Sequence, residues 1–340
     1  MADLKRYPVS IGEVIRARSI IGQYMRPSQL TYYEGLSRAI GAEVYVKHEN
    51  HNPTGTFKIR GGVNLMHHLK RAGVPGVITY STGNHGLSIA TAAKWLGMQA
   101  TIVVPVGANP AKVRAIREAG AELIEAGATF EDCAATVERL CQERSLHYAH
   151  PANEPHLING VGTGFVEVLE ALPDLDVMFV PLGAGSEVSG AITALRALRH
   201  QTQIIAVQAE ASPAAYESWK QKRLCRTPNK SFAGGIATGQ AYELPFSIYK
   251  DGLDDFVLLT EEELRDGMGA AIYYTHNLAE GAGAATIAAA WKVRDRLQGK
   301  KVALQMSGGN AAAEEIVEAT RRETFSRGLW TESEPVLRLE

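Results

Sequence analysis

The chain has 340 residues, 45% of them hydrophobic and 21% charged, with a formal net charge of -2. That length builds one large or two medium domains with real cores. The near-neutral charge, with no basic run interleaved with aromatics, gives no argument for a nucleic acid or an anionic membrane as partner.

The three cysteines, Cys133, Cys141 and Cys225, have neither metal-site nor paired spacing. Reduced, mostly buried thiols in a cytoplasmic protein are expected. No apolar run is long enough to span a bilayer. The opening Met1-Ala2-Asp3-Leu4-Lys5-Arg6 leads into no apolar segment of signal-peptide type.

Residues 8–26 predict a lead-in helix with Ile11, Val14, Ile15 and Ile20 as apolar positions. Residues 43–49 alternate as a strand does. Then comes Asn52-Pro53-Thr54-Gly55-Thr56-Phe57-Lys58-Ile59-Arg60-Gly61-Gly62, and residues 63–70 read as a helix. Lys58 therefore stands where a turn feeds a helix. The positive helix N-terminus favours loss of its proton, and a neutral amine is what Schiff-base chemistry needs. Taken alone, these residues fit a surface lysine as well.

Residues 76–80 read as a strand, followed by Ser81-Thr82-Gly83-Asn84-His85-Gly86 and a helix over 87–96. A strand, a Gly-containing turn and a helix start form a ready anion site. The unit repeats, with strands over 99–105 and 122–125 and helices over 110–119 and 130–144. Alternation of this kind argues for parallel sheets covered by helices.

A second series starts after residue 151. Residues 159–163 read as a turn and 166–172 as a helix. The continuous apolar run 177–182 fits a strand buried on both faces. It ends in Gly183-Ala184-Gly185-Ser186, whose small residues let a backbone approach phosphate. The same loop also fits a nucleotide-binding or plain βα turn. The next helix carries Val188, Ile192, Leu195 and Leu198 on one side, and a buried strand spans 203–208. Thr260 and Glu263 fit a capping box, so the acidic cluster there reads as a helix start and not as a metal site. A long alanine-rich helix spans 280–297. The last core strand, 301–305, ends at Ser307-Gly308-Gly309-Asn310. The polar tail from Arg321 receives no chemistry.

Lys58, the 81–86 loop, the 183–186 loop and the 307–310 loop, in this order, resemble the fold-type II pyridoxal-phosphate enzymes, in the branch of serine and threonine dehydratases and serine racemase. The resemblance runs from about Thr31 to Asn310. It implies an α/β fold of the tryptophan synthase beta-like kind, with two three-layer domains of mostly parallel sheets. Residues 1–70 plus 157–340 would form the large domain and 71–156 the small one, with pyridoxal 5'-phosphate in the cleft between them.

By this resemblance Lys58 is the Schiff-base lysine and the base at Cα, and Phe57 packs beside the cofactor ring. Asn84 bonds the ring's phenolic oxygen, an amide donating there without adding charge. Gly183, Ala184, Gly185 and Ser186 hold the phosphate, although Ala184 and Ser186 replace two of the family's glycines; Ser186 offers a hydroxyl to phosphate or as a helix cap. Glu280 lies near the ring. Ser307 meets the pyridine nitrogen, where a hydroxyl leaves the ring a weaker electron sink than an aspartate would. Ser81, Thr82, Gly83 and His85 belong to the loop that holds the substrate carboxylate. Thr82 stands where racemases place a serine acid/base and many threonine dehydratases an alanine.

Several positions depart from the family. Arg26-Pro27-Ser28 replaces a threonine-proline-leucine stretch, which puts a charged group near the start of the core. Val161 and Gly234 stand where relatives often have glutamine and aspartate, which implies a less polar or differently shaped pocket. Glu210 matches a ligand of a divalent-cation loop, but Tyr216 replaces its aspartate partner, so that site is expected to be absent or weak.

The implied reaction is dehydration of a 3-hydroxy amino acid of serine or threonine type, hydroxyaspartate and phenylserine included, to a 2-oxo acid and ammonia. A homodimer is expected. Racemisation on the same site is the rival reaction, and a non-catalytic ligand-binding protein of the same fold is the rival class. A nicotinamide-binding oxidoreductase leaves Lys58 and Ser307 unused and lacks the third fingerprint glycine.

Overall fold

The computed structural model describes residues 8–108, 110–127, 130–199 and 201–329. The opening segment 1–6 and the end of the polar tail lie outside the described residues.

Ser10 caps the first helix, α1 (Ile11–Ile21), its hydroxyl accepting from the Glu13 amide. Next come β1 (Leu30–Tyr32), α2 (Glu34–Ile40), β2 (Glu43–His48) and α3 (Lys58–Arg71). The chain then makes β3 (Gly76–Tyr80), α4 (Asn84–Leu96), β4 (Gln99–Val104), α5 (Pro110–Glu118), β5 (Glu122–Glu125), α6 (Phe130–Glu143) and β6 (His147–Tyr148). It continues through α7 (Pro155–Ala171), β7 (Val177–Pro181), α8 (Ser186–Leu198), β8 (Gln203–Ala209), α9 (Ala214–Gln221), α10 (Glu243–Gly252) and β9 (Asp255–Leu259). It ends with α11 (Glu261–Thr275), α12 (Gly281–Lys292), β10 (Lys301–Met306), α13 (Ala313–Thr320) and α14 (Glu323–Arg327).

Two sheets result. One has the order β1-β2-β10-β7-β8-β9, and the other β5-β4-β3-β6. All pairings are parallel except that of β1 with β2. Alternate residues of each strand feed opposite cores, as a period of two requires. In the first sheet Val177, Phe179 and Val302 join the core under α2, α11 and α12, while Met178, Val180 and Ala303 join the core under α1, α7 and α8. In the second, Val77 and Ile102 face the core of α3 and α4, while Ile78 and Val103 face that of α6. Each sheet is thus the middle of three layers, which explains the unbroken apolar strands.

Three expectations change. Residues 159–163 are not a turn but the interior of α7. Their glycines serve close packing: a Cβ on Gly160 would fall 2.6 Å from the Arg60 carbonyl oxygen of α3, and one on Gly162 would fall 2.8 Å from Val14 of α1. The alanine-rich helix is shorter than expected, giving way after Lys292 to a 3-10 turn at Arg294–Arg296. There Arg294 covers the Trp291 ring and donates to its carbonyl at 3.1 Å, which satisfies a helix-end acceptor. Leu198, at the end of α8, is exposed rather than packed with Val188, Ile192 and Leu195. The Thr260–Glu263 capping box forms as expected.

The start of α3 is pinned by buried charges that the sequence did not reveal. Arg60 donates through Nε to Glu49 at 2.7 Å and through Nη1 to Glu167 at 2.6 Å, and Lys47 donates to Glu167 at 2.6 Å. Ser28 donates to Glu49 at 2.6 Å and accepts from Arg60. Two cations meet two carboxylates, so no net charge is buried. Burial works to raise the Glu49 carboxyl, but Arg60 outweighs it and holds the group at about 2. Arg26, by contrast, is exposed.

Candidate active site

Lys58 is the first residue of α3, and the chain before it is tied to the end of β10. The Phe57 amide and the Thr56 hydroxyl both donate to the Ser307 carbonyl, at 3.0 and 3.1 Å. The Lys58 amine lies 4.7 Å from the centre of the Phe57 ring and donates to Ser186 Oγ at 3.1 Å. Burial pushes the amine down to about 8, with Glu280 among the groups opposing the shift. An appreciable neutral fraction is therefore available near pH 8.

Ser186 is the first residue of α8, preceded by Gly185 in the left-handed region at φ 99°. The backbone needs glycine there. The expected capping role of Ser186 is not observed, because Gly185 holds the cap position; the serine oxygen accepts from Lys58 instead. At Gly183 a Cβ would run into the Gly235 carbonyl oxygen. This loop and the orphan amides of the α8 N-terminus form an anion cradle.

Asn84 opens α4. Its amide nitrogen donates to Glu280 at 2.7 Å, and its oxygen accepts from Asn310 at 2.8 Å. Glu280 stands at the N-cap of α12 without capping it, its side chain turned toward Asn84. A Cβ on Gly308 would fall 2.6 Å from Glu280 Oε1 and 3.4 Å from Asn84 Nδ2. Asn84, Glu280 and Gly308 thus meet at one place. Ser307 is 3% exposed, and its hydroxyl has no hydrogen bond among the described residues.

Ser81, Thr82 and Gly83 form the turn between β3 and α4, all partly exposed, with the Gly83 amide donating to Ser81 Oγ. Thr82 makes no side-chain bond among the described residues. His85 is buried and bonds the Ala149 carbonyl at 2.9 Å. A carbonyl only accepts, so Nε2 carries the proton. Burial, and then Lys58, push the ring down to about 3, so it is neutral. Nε2 anchors the side chain to Ala149.

Glu210 is exposed, and the Tyr216 ring turns inward against Trp219 and Phe256. Among the described residues no group of three or more His, Cys, Asp or Glu is placed to hold a metal ion. No helix among them is long and apolar enough to cross a membrane. Cys133 and Cys225 are buried and Cys141 is partly so, all unpaired. Val161 is buried in α7, while Gly234 borders the Gly183 cradle with open space where a side chain would project.

Three residues near the site were not singled out from sequence: Asn310, which orients Asn84, and Glu187 and Gln305, which bond each other at 3.0 Å. Asn310 stood within a motif already singled out. An acid among the apolar residues that follow Ser186 was the available sign of Glu187.

The family model described as pyridoxal-phosphate dependent enzyme matches residues 21–308. An L-threonine ammonia-lyase of Thermotoga maritima is 35% identical over 89% of this chain and 76% of its own length. Maize serine racemase superposes with a TM-score of 0.87 at 26% identity, over 92% of this chain and 97% of its own. Threonine deaminase isoform 2 of Solanum lycopersicum does so with a TM-score of 0.85 at 27% identity, over 92% of this chain and 90% of its own.

The residues fit the cofactor these comparisons imply. A neutral-capable amine rests on the first residue of a helix that offers orphan amides to a phosphate. The Ser307 hydroxyl has no hydrogen bond among the described residues, and the Asn84 amide is fixed from both sides. The chain belongs to the pyridoxal-phosphate dependent enzymes, with the mixed α/β, parallel-sheet architecture of fold type II.

Proposed function

We propose that the protein is an ammonia-lyase of 3-hydroxy amino acids, of the threonine and serine type, releasing a 2-oxo acid and ammonia. The observation that carries this is the Lys58 amine, pushed down to about 8 and 3.1 Å from Ser186, in a chain 35% identical to an L-threonine ammonia-lyase. Bound pyridoxal phosphate supplies an electrophilic carbon for the substrate amine and a ring that withdraws electrons from Cα.

The chain's residues do the rest. The 183–186 loop and the α8 N-terminus hold the phosphate. Phe57 would pack on the ring, Asn84 would bond its phenolic oxygen, and the Ser307 hydroxyl would meet its nitrogen without protonating it. Ser81, Thr82, Gly83 and the His85 backbone hold the substrate carboxylate at the α4 N-terminus. The Lys58 amine takes the proton from Cα, and the β-hydroxyl departs as water on receiving a proton from the resulting Lys58 ammonium. The enamine product then takes up one water to give the oxo acid and ammonia.

The site belongs in a cleft between a large domain, 1–70 plus 157–340, and a small one, 71–156. Support comes from β3, β4, β5 and β6, which form a sheet of their own. A cytoplasmic homodimer completes the reading. Within the substrate class, Val161 and the open space at Gly234 favour larger or less polar side chains, phenylserine among them. Release of 2-oxo acid from L-threonine and related substrates tests the reaction.

Racemisation is the second reading. It is favoured by the likeness to maize serine racemase and by the Thr82 hydroxyl, which makes no bond among the described residues. Exchange of the Cα hydrogen with solvent, without oxo-acid release, would select it.

A further inference from the structure

Below the cradle lies a carboxyl that the proposed reaction does not use. Glu187 is the second residue of α8 and only 4% exposed. A first-turn acid ordinarily faces water; this one points to β10, where Gln305 Nε2 donates to its Oε1 at 3.0 Å. No cation bonds it. The Lys58 amine donates to Ser186, while Lys47 and Arg60 are engaged by Glu49 and Glu167.

Gln305 is itself 1% exposed, and its carboxamide oxygen is buried with no donor among the described residues. A carboxylate without a cation and an amide oxygen without a proton are both costly in a core. One proton resolves both. A carboxylic acid facing a carboxamide accepts from the amide N–H and donates its O–H to the amide oxygen.

We propose that Glu187 is a positioning residue, held by Gln305 as a neutral carboxylic acid, whose missing charge leaves Lys58 free to shed its proton and the α8 N-terminus free to take the phosphate. The charged groups that act on it are divided: Glu280 at the α12 N-cap and Glu49 just after β2 disfavour a second negative charge, while Lys58 of α3 favours one. Burial raises the Glu187 carboxyl well above the ordinary range, and Glu49 and Glu280 add to this against Gln305 and Lys58. An ionised Glu187 would stabilise the ammonium form of Lys58. It would also place an anion one residue from the loop meant for another.

The inference rests on Lys58 as the reactive amine, but its test does not use the reaction. The full chain is freed of cofactor and examined in two ways. Infrared spectra at pH 7 are expected to show a carboxylic-acid C=O band in the wild type that is absent from Glu187→Gln. Labelling of Lys58 by an amine-directed reagent, read by peptide mass spectrometry against pH, is expected to keep its midpoint in Glu187→Gln, since one neutral group replaces another. Absence of the acid band from the wild type would overturn the proposal. So would a midpoint lowered by about one pH unit, tenfold in free amine, because Glu187 would then be a counter-ion to Lys58. Should Glu187→Gln not fold, Gln305→Leu is expected to shift the wild-type band, and an unshifted band overturns the pairing. Failure of the lyase reading would appear only as missing oxo-acid release and would leave these measurements unchanged.

Discussion

The amine of Lys58 donates to Ser186 Oγ at 3.1 Å, so the first residue of α3 rests on the first residue of α8. One serine thereby touches the Lys58 amine and opens the helix whose amides suit a phosphate. Removing its hydroxyl by Ser186→Ala deletes one hydrogen bond to a charged ligand, about 1.5–3 kcal/mol. Cofactor affinity, measured by fluorescence titration, should fall about tenfold or more. Unchanged affinity would place the phosphate elsewhere.

The same amine predicts a pH dependence of stability. In the cofactor-free chain Lys58 gives up its proton at about 8, against 10.5 for an ordinary lysine. Between these values the unfolded state binds more protons than the folded one, so stability rises with pH across that window. The burden of the buried ammonium is fully present below about pH 8. Lys58→Met should remove this rise, seen as a flatter dependence of the urea midpoint on pH. Equal slopes in the two proteins would contradict the buried amine.

Arg60 should matter for folding, not chemistry. Arg60→Met leaves Glu49 and Glu167 buried without their main cation, a loss of about 3–5 kcal/mol for a broken buried pair. Arg60→Lys should not restore it, because the arginine engages both carboxylates and Ser28 through three nitrogens. Urea denaturation distinguishes these outcomes from a surface pair worth under about 1 kcal/mol. Glu49, ordinarily near 4.5 and here at about 2, adds stability that is full above about pH 4.5 and is lost as pH falls through 2.

Gly160→Ala should separate α7 from α3. Its Cβ would meet the Arg60 carbonyl oxygen at 2.6 Å and Gly61 Cα at 2.8 Å. Overpacking of this kind costs about 1–3 kcal/mol. It also displaces the helix that begins at Lys58, so activity should drop in the folded variant. Thermal denaturation with an activity assay checks both, and an unaltered protein would show that the helices do not need this approach.

Sequence patterns gave the layered architecture because strands buried on both faces leave apolar runs, as in residues 177–181. They also gave the capping box of Thr260 and Glu263, which is local. The reading failed where one residue type has two uses. Gly160 and Gly162 read as part of a turn, yet they let one helix approach its neighbours closely, α3 at Gly160 and α1 at Gly162. Very short elements such as β1 and β6 carry too few residues for a period to show. Partners distant in sequence were equally hidden. Glu187 meets Gln305 across 118 positions, and Arg60 meets Glu167 across 107. Only the folded chain shows that these charges and amides face each other.

The most direct test is release of 2-oxo acid from a panel of L- and D-3-hydroxy amino acids, run with the wild type and Lys58→Ala, each supplied with pyridoxal phosphate. Release by the wild type from at least one serine- or threonine-type substrate is expected, with none above background by Lys58→Ala. No release from any member by a wild type that shows bound cofactor would contradict it.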